Sequence, residues 1–178
     1  ISGWGLEPKI DSGRIANQDN YRTATNIGVF DIATGSVIWL LEGAWDKFGP
    51  SIYGDIVVWN DTRNGGRISN PTNGDIYMVD LSTGEISPVC DHPASQNFAS
   101  VWGQWVAWAD LRNDPLYPNN PTAATERDIY AKNIETGDEI QVSSMAGWEY
   151  LPKIFENHVY FLAEDDAGIV SIFEATLE

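Results

Sequence analysis

The sequence predicts an all-β protein in which one four-stranded unit is written four times. Three observations carry this. The 178 residues hold 8 Trp, 16 Gly and 9 Pro; large aromatics need a core, and frequent turn residues mean many short strands. Pro50-Ser51-Ile52-Tyr53-Gly54 leading into Asp55-Ile56-Val57-Val58-Trp59-Asn60-Asp61-Thr62-Arg63 returns as Ala99-Ser100-Val101-Trp102-Gly103 leading into Gln104-Trp105-Val106-Ala107-Trp108-Ala109-Asp110-Leu111-Arg112. Each is followed by a second motif, Asp75-Ile76-Tyr77 through Thr83-Gly84 and Asp128-Ile129-Tyr130 through Thr136-Gly137.

Within a copy, the first strand is short (51–53). The second (56–59) is apolar without alternation, the mark of a strand covered on both faces. The third (76–81) is mixed. A Thr-Gly pair then marks a tight hairpin, at 34–35, 83–84 and 136–137, because Gly takes positive φ freely. A fourth strand follows at 37–41, 86–90 and 140–143. Looser copies open at Pro8 and Pro152, so the openings fall at residues 8, 50, 99 and 152. In the first copy Gln18 stands where Trp is expected, and in the fourth Leu162, Glu164 and Asp166 stand for Trp, Asp and Arg. Four-stranded units at this period are the signature of β-propeller blades, each sheet shielded by its neighbours. The expected blades are 8–49, 50–98, 99–151, and 152–178 with 1–7, in a single domain over 1–178.

The motif Pro-x-Ile-x-Gly-x-x-Val-Val-Trp-x-Asp-x-Arg, followed by Asp-Ile-Tyr-x-x-Asp-Leu-x-Thr-Gly, resembles the TolB-type β-propeller repeats of bacterial and archaeal surface and periplasmic proteins. The resemblance implies the propeller fold and a secreted or cell-surface setting. It implies no single activity, because propellers host many.

Composition narrows the partners. Ten Lys+Arg against 26 Asp+Glu give a net charge of −16, which argues against nucleic acid and anionic membrane surfaces. No apolar run approaches the roughly 20 residues of a spanning helix. One cysteine, Cys90, excludes an internal disulfide framework; it carries no sign of activation and reads as an ordinary strand residue.

Asp61/Arg63 and Asp110/Arg112 are the sharpest polar pairs. Two apart at a strand end, they point to one face. They read as brackets holding the loop between second and third strands, with a substrate-binding ring as the other reading. Trp59 and Trp108 hold equivalent places inside strands and read as core; Trp4, Trp45 and Trp148 fall in the loops between blades and read as packing wedges. The loop 113–127 is long and polar, where binding functions sit. Asp110, Asn113 and Asp114, or Asp61, Asn64 and Asp75, are oxygen donors suited to calcium, without the spacing of a calcium loop; no other cofactor is expected. His92 and His158 form no zinc pattern. Asn60-Asp61-Thr62 is a formal glycosylation sequon that coincides with the repeat motif.

The phase of the repeat suggests four copies less one outermost strand. A segment of a larger propeller, a closed four-bladed ring, and a blade completed by another molecule all fit. In the closed ring Ile1, Ser2 and Gly3 would patch the short last blade; in the assembling form they and a strand edge at Ile169, Val170, Ser171, Ile172 and Phe173 would be open to strand addition. The expected protein is non-enzymatic and extracellular, with copies of itself or other surface proteins as partners. The rival is a carbohydrate-binding or hydrolytic propeller with its site at the central funnel or the 113–127 loop.

Overall fold

A computed structural model describes residues 5–19, 25–65, 73–117, 119, 125–165 and 167–177. Four antiparallel sheets follow one another along the chain. The first holds β1 (Gly5–Asp11), β2 (Arg14–Asp19), β3 (Asn26–Asp31) and β4 (Ser36–Leu41). The second holds β5 (Lys47–Tyr53), β6 (Ile56–Asp61), β7 (Asp75–Asp80) and β8 (Glu85–Cys90). The third holds β9 (Gln96–Trp102), β10 (Trp105–Asp110), β11 (Asp128–Asn133) and β12 (Glu139–Gln141). The fourth holds β13 (Trp148–Phe155), β14 (His158–Glu164) and β15 (Val170–Thr176), three strands among the described residues.

The strand order within each sheet is sequential, and the first strands β1, β5, β9 and β13 contact each other in succession. Each sheet therefore packs face-on against the next: the fold is a β-propeller arc of four blades. The first and fourth sheets do not pack together as neighbouring sheets do.

Sheet-to-sheet packing has one rule. In every sheet a two-residue turn joins the first two strands, and the fourth residue after that turn carries the key side chain. Trp59 lies opposite Tyr77, Trp108 opposite Tyr130 and Phe161 opposite Phe173. These aromatics face the preceding sheet. Trp59 and Tyr77 pack on Ala16, Ile27 and Val29. Trp108 and Tyr130 pack on Val58 and Ile76. Phe161 packs on Ala107, Ala109 and Ala131. Val57, Val58 and Trp59 are all sealed from water, as a continuous apolar second strand requires.

This register corrects the sequence alignment of the looser copies. The Trp position is Asn17 in the first sheet, opposite Gly28, and Phe161 in the fourth; Gln18 and Leu162 point to the other face. The slip is one residue, and one residue turns a strand side chain to the opposite face. Trp148 is also relocated: it opens β13 and is not a loop residue.

A second regularity was invisible in the sequence. Each first strand bends at a β-bulge whose residue takes positive φ: Glu7 (52°), Gly49 (61°), Phe98 (63°) and Leu151 (53°). Register breaks accompany all four. Three are followed by Pro8, Pro50 and Pro152, which a bulge tolerates because it leaves a backbone N–H without a ladder partner. Position 49 differs from the other three in its surroundings: a Cβ there would meet Asn60 Nδ2 at 2.6 Å. Gly54, in the turn between β5 and β6, has φ 56° but open space around it. Gly54→Ala should cost about 1 kcal/mol for the backbone alone. Gly49→Ala should cost roughly 1–3 kcal/mol more through overpacking. Urea unfolding midpoints of the two variants measure the difference.

Candidate functional site

The Asp-Arg pairs fold back on their own blades. At the end of β6, Asp61 accepts the indole N–H of Trp59 at 2.9 Å and both Arg63 Nε and Nη2, at 2.9 and 2.7 Å. The Arg63 guanidinium lies 3.7 Å from the centre of the Tyr77 ring. At the end of β10 the arrangement repeats: Trp108 donates to Asp110 at 2.8 Å, Arg112 Nη2 donates to Asp110 at 2.7 Å, and the guanidinium stacks 4.1 Å over Tyr130. Arg112 Nη1 reaches Glu139 at 2.5 Å, and Nη2 also faces the Cys90 sulfur at 3.2 Å. Each carboxylate thus clamps an indole inside the blade and an arginine over the next strand's tyrosine. Burial pushes the Cys90 thiol up to about 12, so it is not a thiolate at neutral pH.

The calcium candidates do not converge. Asp110 is engaged as described. Asn113 Nδ2 donates to Asp128 Oδ2 and to the Tyr130 hydroxyl, at 2.7 and 2.8 Å. Asp114 faces into its own loop and accepts the backbone N–H groups of Leu116, Thr125 and Glu126. Burial alone would raise its carboxyl; the N–H groups of Glu126, Thr125 and Leu116 outweigh that and hold it below the usual aspartate value. In the second blade, Asn64 turns its amide N–H, not its oxygen, towards Asp75. Among the described residues no three His, Cys, Asp or Glu side chains gather as a metal would need. Asn60, the sequon asparagine, is buried and donates to the Phe48 carbonyl.

The joints between blades hold groups that sequence reasoning missed. Lys47, Gln96 and Glu149 occupy one equivalent position, and all three side chains are fully buried. Their N–H groups bond back across the joint to Thr25, Gly74 and Arg127. Lys47 Nζ donates to the Trp45 carbonyl, Gln96 Nε2 to the carbonyls of Ala94 and His92, and Glu149 accepts N–H groups of Ile129 and Met145 and the Ser143 hydroxyl. Each side chain braces the loop entering its own blade. Desolvation lowers the Lys47 ammonium and raises the Glu149 carboxyl. A cation, an amide and an anion do one task, so no shared residue type signalled it.

The predicted edge residues Ile169, Val170, Ser171, Ile172 and Phe173 lie at or in β15, which borders the fourth sheet and is exposed over most of its length. Ile1, Ser2 and Gly3 fall outside the described residues. Trp45 and Trp148 remain partly exposed and each carries a cation, Arg63 at 5.6 Å and Arg127 at 4.6 Å.

No family model and no curated protein sequence matches the chain. Solved structures do. TolB from Acinetobacter baumannii aligns over 98% of this chain and 41% of its own, with TM-score 0.69 and 16% identity. The fold is that of the TolB β-propeller. A putative TolB from Agrobacterium tumefaciens aligns over 93% and 63%, with TM-score 0.66 and 13% identity. The β-propeller domain of the Trilobed protease from Pyrococcus furiosus aligns over 97% and 54%, with TM-score 0.69 and 8% identity. The chain spans less than two thirds of each, and identities this low establish the fold alone.

Two predictions follow from the buried acids. Asp61→Ala strands the Trp59 N–H and the Arg63 guanidinium, and should cost roughly 3–5 kcal/mol, the range for breaking a buried pair from one side; Asp61→Asn, which still accepts from Trp59, should cost less, both read by chemical denaturation. Asp75 is fully buried with Oδ1 unpartnered, and burial pushes its carboxyl up to about 6. A raised carboxyl favours the protonated folded state, so its contribution to stability is lost as pH rises from 3.8 to about 6. Asp75→Asn should remove that fall, seen as a mutant-minus-wild-type melting difference that grows across the window.

Proposed function

We propose that this protein is a non-enzymatic, extracellular or cell-surface propeller module with a structural task, joining copies of itself or other surface proteins through its fourth blade. The observation that carries the reading is β15. In the other three sheets a fourth strand flanks the third; among the described residues of the fourth sheet, the third strand is the border. Its Ile172 side chain is 76% exposed, and Ile169, Val170 and Phe173 are exposed beside it. A bordering strand with apolar side chains is a template for an added strand. The face it shares with β14 supports the same reading. Where the second and third sheets present Val58/Met78 and Ala107/Ala131 to a following blade, the fourth presents Tyr160 opposite Glu174. Tyr160 is exposed there. At the other end, the row Ile10, Ile15, Phe30 and Val37 crosses the outer face of the first sheet, with Ile10 and Val37 exposed. The absence of catalysis is inferred from the engagement of both Asp-Arg pairs inside their blades and the inert Cys90 thiol.

Sedimentation velocity over a concentration series tests this. The purified protein should self-associate, more strongly at high ionic strength, which screens a net charge of −16. Ile172→Lys, at a site too exposed to matter for folding, should return it to a monomer. A monomer at every concentration and salt level would remove the self-assembly reading.

A further inference from the structure

Four arginines fall among the described residues, and three have a carboxylate. Arg14 pairs with Asp55, Arg63 with Asp61, and Arg112 with Asp110 and Glu139. Arg127 pairs with none. Its backbone is fixed at the joint of the third and fourth blades: its N–H bonds to the Gly147 carbonyl, and its own carbonyl accepts from Glu149, both at 3.0 Å. Its guanidinium lies 4.6 Å from the Trp148 ring centre and 5.6 Å from that of Phe98. Nε is sealed from water without a partner. Aromatic rings attract a cation but supply no acceptor of ordinary strength.

The acids nearby are engaged elsewhere. Asp110 holds Trp108 and Arg112. Asp128 Oδ2 accepts from Asn113 and Gln141. Glu149 is fully buried and takes three donors of its own. Trp148 and Phe98 each keep more than a third of their surface in water, 38% and 36%, and Arg127 itself is only partly buried, so the group borders solvent. Phe98 is held in the left-handed region, at φ 63°, with its ring against this arginine.

We infer that Arg127, flanked by Trp148 and Phe98, is a binding site for a carboxylate group. A guanidinium fork matches a carboxylate with two parallel N–H donors, and the bond strengthens where water is sparse. The rings provide apolar contact for whatever carries the acid. A monoanion is favoured over phosphate because the protein's own charge is −16 and the Asp110 carboxylate already acts on this guanidinium; repulsion of a dianion is about twice as large. The carboxylate comes from a chain terminus or from an acidic side chain. Burial holds the guanidinium low, at about 10, still charged at neutral pH. The site is far in sequence from β15 and does not depend on assembly.

The test is a titration of the intact protein, followed by the NMR signals of the Arg127 Nε–H and the Trp148 indole. N-acetylglycine should shift both saturably, and N-acetylglycinamide, which lacks the charge, should not. A peptide with a free carboxyl terminus and a terminally blocked peptide bearing one internal Glu distinguish the two sources. Arg127→Lys, which keeps the charge and loses the fork, should weaken binding by about tenfold, and Arg127→Gln should abolish it. If Arg127→Gln fails to fold, the acid-against-amide pair on the wild type decides. Equal shifts with acid and amide, no saturation with any carboxylate, tighter binding of inorganic phosphate, or undiminished binding by Arg127→Lys would each overturn the inference.

Discussion

The structure depends on one contact, made three times: a large aromatic of one sheet pressed onto the aliphatic face of the sheet before it. Trp59 on Ala16 and Val29, Trp108 on Val58 and Phe161 on Ala107 and Ala131 are versions of it. A fully buried tryptophan takes roughly 150–250 Å² of surface from water, so these side chains dominate the stability of the arc. The contact also sets direction. A sheet offers aliphatic residues forward and aromatic ones backward, so blades stack in one order. At the two ends the pattern changes: Asn17 and Gly28 stand in the backward aromatic positions of the first sheet, and Tyr160 and Glu174 in the forward positions of the fourth.

Around this apolar stack the polar groups are spent on holding loops. The buried carboxylates of Asp61 and Asp110 are engaged by indole and guanidinium, and the joint residues Lys47, Gln96 and Glu149 brace the entry to each blade. Among the described residues, the border strand β15 and the guanidinium of Arg127 stand outside this internal network.

Much of the fold was legible in the sequence because the repeat is written in residue types with one physical use. Trp59 and Trp108 in apolar strands could only be core, and the Thr-Gly pairs could only be hairpins; Gly84 has φ 75°. The looser copies were misread by one residue because apolar runs such as Val159 to Ala163 offer no polar marker of register, and only the ladder places Phe161 in the aromatic position. The bulges at Glu7, Gly49, Phe98 and Leu151 share no residue type; the only trace is the proline that follows three of them, and it marked the repeat without showing the bulge. The candidate site was half legible. The Asp-Arg pairs announced themselves by recurrence. The isolation of Arg127 did not, because its partners Phe98 and Trp148 come from separate strands.

The unlike braces at the blade entrances bear on how such a chain can change over evolutionary time. Duplicated segments invite recombination, and an exchange between the second and third copies would preserve the Trp, Asp and Arg pattern. It would nonetheless set a Lys47-type ammonium where the Gln96 amide now bonds the carbonyls of Ala94 and His92, and the amide where the ammonium now bonds the Trp45 carbonyl. Each repeat has become keyed to its own place in the series, and the copies are no longer interchangeable parts.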